Sequence, residues 1–317
     1  MSSTLSKATV TAVGLLSKAF LNVGYCSSVS VNGLDNLLEA LNSDERTSGR
    51  GIITVANHLS ILDDPLIWGV LPAKFYLESH FTRWTLGASD IMFTNPIFSM
   101  FFRNGQVIET FRGKGIFQPA VDTAIHKLNH GAWIHLFGEG KVNQPAFNPS
   151  HDSLKLLRFK WGVGRILMET AKPPVIIPIW LTGFDKLMPE QRLIPWKFFP
   201  RPRVALSITF GAQVDTDKMR DTLARMIREE RLPEVPRTSH GGLSDTHRPE
   251  DERISVQMTG HWLRDVWMIK ADEFGVQGPA RLHTVQKVAS IRSALTALVQ
   301  QQVEELGRKV TSEKAAL

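Results

Sequence analysis

Apolar residues along this chain fall into short runs with two alternating periods. GIITVA (51–56), β-branched and preceded by arginine and polar residues, predicts a buried strand. Similar runs predict strands at KFYLES (74–79), GQVIET (105–110), AWIHLF (132–137), PVIIPIW (174–180) and RVALSITFG (203–211). Between them, apolar positions recur at helical spacing. Helices are predicted from Asp63 to Val70, with Pro65 in the first turn, and over NPIFSMFFRN (95–104). Two more are predicted over GIFQPAVDTAIHKLNHG (115–131), which ends in a plausible cap, and RFKWGVGRILMETAK (158–172). Strands alternating with helices predict an α/β sheet with helices on its faces. The stretch 229–254 is rich in Pro, Gly, Ser and charge and reads as a loop or linker. Further helices are expected near 261–273 and 282–309.

No acidic residue precedes Asp35, and the uncharged run ATVTAVGLLS is too short to span a bilayer, which takes about 20 apolar residues. Wound as a helix, the segment gathers Lys7, Thr11, Gly14, Lys18 and Asn22 on one narrow stripe. Val10, Val13, Leu16, Phe20 and Leu21 take the rest. That pattern suits a membrane interface, with both lysines reaching headgroups; a helix packed on the domain is the alternative. The expected organisation is an N-terminal membrane-associating segment (1–33), a catalytic domain (34–228), a loop (229–254) and C-terminal helices packing on the domain (255–317). A second membrane contact is sought in VIIPIWLTGF (175–184), equally readable as a central strand, and in Trp180, Trp196, Phe198 and Phe199 as an aromatic anchor.

The chain has 317 residues, is 43% hydrophobic and carries a net charge of +6, which favours an anionic partner. Phospholipid headgroups fit; no basic stripe interleaved with aromatics and no zinc-finger spacing points to nucleic acid. One cysteine, Cys26, excludes an internal disulfide and a Cys-rich metal site, and no metal is expected. G-x-S-x-G, H-E-x-x-H, Walker and G-x-G-x-x-G motifs are absent, which argues against those hydrolase, zincin, P-loop and dinucleotide chemistries.

The candidate chemistry sits just past predicted strands, where ligands bind in open α/β sheets. NHLSILDD (57–64) places His58 five residues before Asp63, spaced so that a carboxylate can orient an imidazole acting as general base. A second pair of that spacing, His240 and Asp245, falls in the predicted loop, which offers no rigid frame. ETFRGKG carries Arg112 and Lys114, a fork and a point charge for phosphate. FGEGKVN carries Glu139 between Gly138 and Gly140, followed by Lys141. Glu139 is expected to bond a substrate hydroxyl or fix Arg112. Taken singly, each has a plainer reading: a helix cap, a solvated arginine, a turn acid. Together they describe acyl transfer to the hydroxyl of a phosphate-bearing acceptor.

The ordered residues resemble the glycerophospholipid acyltransferases, whose motifs are N-H-x4-D, a basic turn, F-P-E-G and an apolar strand with proline. NHLSILDDPLIWG (57–69), RWTLGASDIMFT (83–94), KLNHGAWIHLFGEGKVN (127–143), LRFKWGVGRILMET (157–170) and PVIIPIWLTGFDKLMPE (174–190) carry the likeness, over about residues 51–211. The resemblance implies a twisted mixed β-sheet flanked by helices. It makes His58 the base, Asp63 its partner, Glu139, Gly140 and Lys141 acceptor-site residues, and Arg112 a phosphate contact. Its phospholipid–lysophospholipid transacylase branch implies exchange without acyl-CoA or another cofactor, and cardiolipin as a substrate. It also implies monotopic placement on mitochondrial outer and inner membranes, facing the intermembrane space. An acyl-CoA-dependent lysophosphatidate acyltransferase and a non-catalytic membrane-organising lipid-binding protein are the alternatives, and a homo-oligomer stays compatible with the sequence. Two departures stand out: Gly138 replaces the usual proline, and a polar stretch, QPAFNPSHDS (144–153), follows the third motif.

Overall fold

The computed structural model describes residues 4–147, 154–233, 262–263 and 279–315. His151, Asp152, the pair His240 and Asp245, and nearly all of the predicted helix near 261–273 lie outside them. One seven-stranded mixed sheet organises the chain. In chain order its strands are β1 (Ser28–Asn32), β2 (Ile52–Ala56), β3 (Trp84–Ala88), β4 (Val107–Thr110), β5 (Trp133–Phe137), β6 (Val175–Thr182) and β7 (Ala205–Phe210). The spatial order is β1-β7-β6-β2-β5-β3-β4. Neighbours are parallel except β6 and β7, so β1 and β7 run against the other five. β2 is central: Ile52 pairs with Trp133 of β5 on one side and Val175 of β6 on the other.

Alternation along β2 supplies both cores. Ile53 and Val55 pack towards α6 (Pro119–Leu128), α7 (Gly162–Glu169), α9 (Thr216–Arg228) and α10 (Pro279–Ala315). Ile52 and Ala56 pack towards α1 (Thr4–Asn22), α2 (Leu34–Asn42) and α3 (Asp63–Trp68). The helices α4 (Ser89–Met92), α5 (Pro96–Asn104) and α8 (Phe184–Leu187) complete the described set. None of the described helices is long and apolar enough to cross a membrane.

Five differences from the sequence reading have physical causes. KFYLES is not a strand: Ala73–Leu77 forms a 3-10 turn. Its Phe75 and Tyr76 are buried beneath α1 and α3 rather than in the sheet, and the Tyr76 hydroxyl donates to the carbonyls of Trp68 and Leu71. β3 escaped notice because Gly87 interrupts its apolar run, and β1, SVSVN, because its small polar residues sit on an exposed edge. β1 falls within residues 1–33, yet it belongs to the sheet. The helix expected over 158–172 is shorter, Gly162–Glu169; the stretch before it is tied to other segments, the Phe159 N–H donating to Gln300 of α10 and the Lys160 N–H to the Gly138 carbonyl. Trp180 is buried against Gly307 of α10 and is no part of an exposed aromatic anchor, whereas Trp196, Phe198 and Phe199 are exposed.

The middle of the polar stripe of α1, Thr11, Gly14 and Lys18, faces inward, while Lys7 and Asn22 at its ends stay exposed. Ser6, Val10, Gly14, Ser17 and Leu21 are buried, Thr11 donates to the Tyr76 carbonyl and Lys18 to that of Leu71. Gly14 is required there, because a Cβ would lie 2.7 Å from the Tyr76 ring.

Candidate active site

The site begins where β2 ends. Asn57 is buried and grips the end of β6 twice: its Nδ2 donates to the Leu181 carbonyl at 3.1 Å and its Oδ1 accepts from the Leu181 N–H at 2.8 Å. This fixes the direction in which the chain leaves the sheet. His58 follows, its side chain 19% exposed, and its ring stacks on Phe137 at the end of β5 with centroids 4.0 Å apart. A tight turn then returns the chain to Asp63, the first residue of α3, whose side chain is fully buried.

Asp63 Oδ2 accepts from His58 Nδ1 at 2.9 Å, from the Leu59 N–H at 2.5 Å and from the Ser60 N–H at 2.9 Å. Oδ1 accepts from the Ser60 hydroxyl at 2.7 Å. A carboxylate with that donor set is acceptor only, so the imidazole carries its proton on Nδ1 and offers the Nε2 lone pair outward. That is the tautomer a general base needs.

Glu139 acts on the same turn from below. It is 1% exposed, and both oxygens are engaged by the protein. Oε1 accepts from the His58 N–H at 3.1 Å; Oε2 accepts from Asn143 Nδ2 at 2.6 Å and the Leu157 N–H at 2.9 Å. The Asn143 N–H donates in turn to the His58 carbonyl at 2.7 Å. Burial pushes the Glu139 carboxyl above its ordinary range, and the three donors oppose that shift. Among its described contacts are neither Arg112 nor an open face for a substrate hydroxyl. Gly138 makes room for Phe159, since a Cβ would lie 2.4 Å from that buried ring. Gly140 takes a left-handed conformation, φ +71°, with the Lys160 side chain laid across it. Lys141 is exposed on this turn.

Beside His58 lies a largely buried polar layer, with the side chains of Asp64 21% and Arg83 11% exposed. Asp64, the second of the paired aspartates, accepts from Trp68 Nε1 at 3.1 Å and from two nitrogens of Arg83, just before β3. Burial alone would raise the Asp64 carboxyl; Arg83 outweighs it and holds the group below the usual range. His135, fully buried, has its ring edge towards both Trp68 and Phe137, and burial drops its pKa to about 3. It is therefore a neutral packing group.

The structure thus brings His58, Asp63 and Glu139 together, with Gly140 and Lys141 on the Glu139 turn. Arg112 stands apart. It follows β4, the sheet edge, three strand steps from β2, or about 14 Å laterally. Its nearest described ionic partner is Asp90 at 3.5 Å, and both are well exposed. Sequence reasoning gave no role to Asn57, Ser60, Phe137, Asn143 or Phe159. Asn143, four residues after Glu139, was the most accessible of these. No group of three or more His, Cys, Asp or Glu suited to a metal occurs among the described residues.

Residues 28–182 match the Acyltransferase family model. Taffazin of Dictyostelium discoideum is 39% identical over 68% of this chain and 71% of its own. Tafazzin of Drosophila melanogaster is 40% identical over 59% of this chain and 46% of its own. The chain belongs to the tafazzin family of acyltransferases. The Arabidopsis thaliana N-acylphosphatidylethanolamine synthase is also similar, 36% identical over 66% of this chain and 70% of its own. The tafazzin-family chain is accordingly an acyltransferase, and the matched segment runs from β1 to the end of β6, taking in His58, Asp63 and Glu139.

Proposed function

We propose that this acyltransferase is a phospholipid–lysophospholipid transacylase in which His58 is the general base. The observation that carries the reading is the His58–Asp63 pair, held at 2.9 Å with every Asp63 acceptor directed at the same turn. A site that only bound phosphate would need no imidazole in a fixed tautomer. The free hydroxyl of a lysophospholipid gives its proton to Nε2 as its oxygen attacks the ester carbonyl of a donor phospholipid. The tetrahedral intermediate collapses, the acyl carbon keeps the new oxygen, and the leaving glycerol oxygen takes the proton back from Nε2. Asp63 stabilises the imidazolium between the two transfers. One ester replaces another, so no energy-supplying cofactor enters the balance.

In this reading the acceptor and donor are phospholipids, with cardiolipin and its lyso form the leading pair, and the enzyme works on a mitochondrial membrane surface; membership of the tafazzin family supports it. Glu139 is assigned a positioning role, holding the His58 backbone; Gly140 and Lys141 line the acceptor side. The plant relative favours a second reading, in which the amine of phosphatidylethanolamine is the acceptor and His58 removes a proton from nitrogen.

The test uses purified protein and liposomes with a labelled phospholipid and a lysophospholipid, without CoA. Label appearing in the lysolipid and lost in His58→Ala is expected. Transfer only on adding acyl-CoA would move the donor to the thioester; label on phosphatidylethanolamine nitrogen would move the acceptor. Tight vesicle binding without transfer in any arm would leave a membrane-organising protein.

A further inference from the structure

α1 is a strut between two exposed apolar elements. At its start, Ser6 Oγ donates to the carbonyl of Asn104, the last residue of α5, at 2.8 Å. Past its end, the Tyr25 hydroxyl donates to the Pro200 carbonyl at 2.5 Å and the Arg203 N–H to the Tyr25 carbonyl at 2.8 Å. Nineteen helical residues span about 28 Å. With its small and polar side turned to the domain, α1 leaves an apolar face outward, where Leu16 is 70% exposed. At one end of it, Ile97 and Phe98 of α5 are exposed; at the other, Leu193, Trp196 and Phe198 are, Leu193 by 82%. No described helix in this band is able to span a bilayer.

The charge is one-signed. Residues 4–22, 96–104 and 193–203 contain no aspartate or glutamate, while Lys7, Lys197, Arg201 and Arg203 punctuate them. Exposed aliphatic and aromatic side chains gathered on linked elements mark an interaction surface, and the basic residues among them complement anionic headgroups.

We infer that α1, the outer face of α5 and the 193–203 segment form one docking surface for an anionic lipid bilayer. The choice of a bilayer over a protein partner rests on the phospholipid substrate proposed above. The surface enters only to the interface depth: aromatic and aliphatic side chains among the acyl chains, basic groups at the phosphates. It differs from the sequence expectation on two points. The Thr11–Lys18 stripe of α1 faces the protein rather than headgroups, and α5 joins the contact.

The experiment is flotation of the full chain with vesicles of phosphatidylcholine containing one part in five cardiolipin. In Leu16→Ser/Phe98→Ser/Trp196→Ser the partition coefficient is expected to fall by about tenfold per side chain. Acyl exchange in mixed detergent micelles should stay within about twofold of wild type, because none of the three touches the site. Should the triple variant fail to fold, Lys197→Glu/Arg201→Glu gives the independent reading, about fivefold weaker per residue and sensitive to salt. Unchanged flotation in both variants would overturn the inference. So would loss of a dimer in sedimentation with flotation intact, which would make this a contact between copies. Loss of flotation with no exchange by wild type, even in micelles, would uphold the surface and sink the transacylase reading instead.

Discussion

Asp63→Asn separates the two duties of Asp63. The amide oxygen can occupy the Oδ2 position, where it still accepts from the Leu59 and Ser60 N–H groups and from His58 Nδ1. The amide NH2 then faces the Ser60 hydroxyl, which can accept instead of donate. The backbone donors therefore hold the amide in the orientation that preserves the His58 tautomer, and only the charge is lost. Charge-assisted bonds become neutral ones, costing about 1–2 kcal/mol of stability and a few degrees in Tm. The catalytic cost is larger. With Nδ1 and Oδ2 2.9 Å apart, the charge centres of an imidazolium and a carboxylate lie about 4 Å apart, which at an effective dielectric near 20 is about 4 kcal/mol. A transition state with the proton half to fully transferred senses about 2–4 kcal/mol of this, a thirty- to thousandfold fall in kcat/KM. The assay is acyl exchange in micelles, with Tm recorded on the same protein. A fall below threefold would refute Asp63 as stabiliser of an imidazolium. Loss to the level of His58→Ala with an unchanged Tm would mean that the tautomer has flipped and that the backbone donors do not control it.

Gly138→Ala pushes a Cβ into the Phe159 ring at 2.4 Å and is expected to cost about 1–3 kcal/mol in urea denaturation; an unaffected midpoint would show that the ring can yield freely. His135, with its pKa near 3 in the fold and about 6.5 unfolded, binds a proton more readily when unfolded, so its contribution is complete above pH 6.5 and drains as pH falls towards 3. Between pH 6.5 and 5 that is about 2 kcal/mol, and His135→Asn should show a stability–pH slope shallower than wild type by that amount; parallel slopes would contradict neutral burial. Arg112→Ala is expected to leave kcat/KM for exchange within about threefold, its partner being the exposed Asp90 at 3.5 Å, where an ion pair is worth about 0–1 kcal/mol. A tenfold rise in KM would return Arg112 to the acceptor site.

How much of the site was legible follows from how local each part is. His58 and Asp63 share one turn, so a strand run, a polar turn and a helix start are enough to bring them together. The buried run of β2 and the helical spacing of α6 were equally plain, since period alone decides them. Glu139 was visible as a residue but not in its duty. Its donors come from His58, 81 positions away, and Leu157, 18 away, and no spacing rule links those segments. The same is true of Gly138, whose departure from proline reads as a loosened turn until Phe159 is seen filling the space.

Arg112 shows the limit most sharply. A basic turn after a strand was expected to share a cleft with the other strand-end clusters, and how it could do so depends on the order of the strands. The order β2-β5-β3-β4 is not set by hydrophobic period, because every strand pattern is compatible with several positions in a sheet. Two intervening strands carry Arg112 towards the edge, while β5 brings Glu139 and Phe137 directly beside His58. A phosphate whose glycerol hydroxyl rests on Nε2 lies only a few bonds from it. On the Glu139 side, Lys141 is exposed on the turn and the Lys160 side chain lies across the left-handed Gly140, where a Cβ would meet it at 2.9 Å.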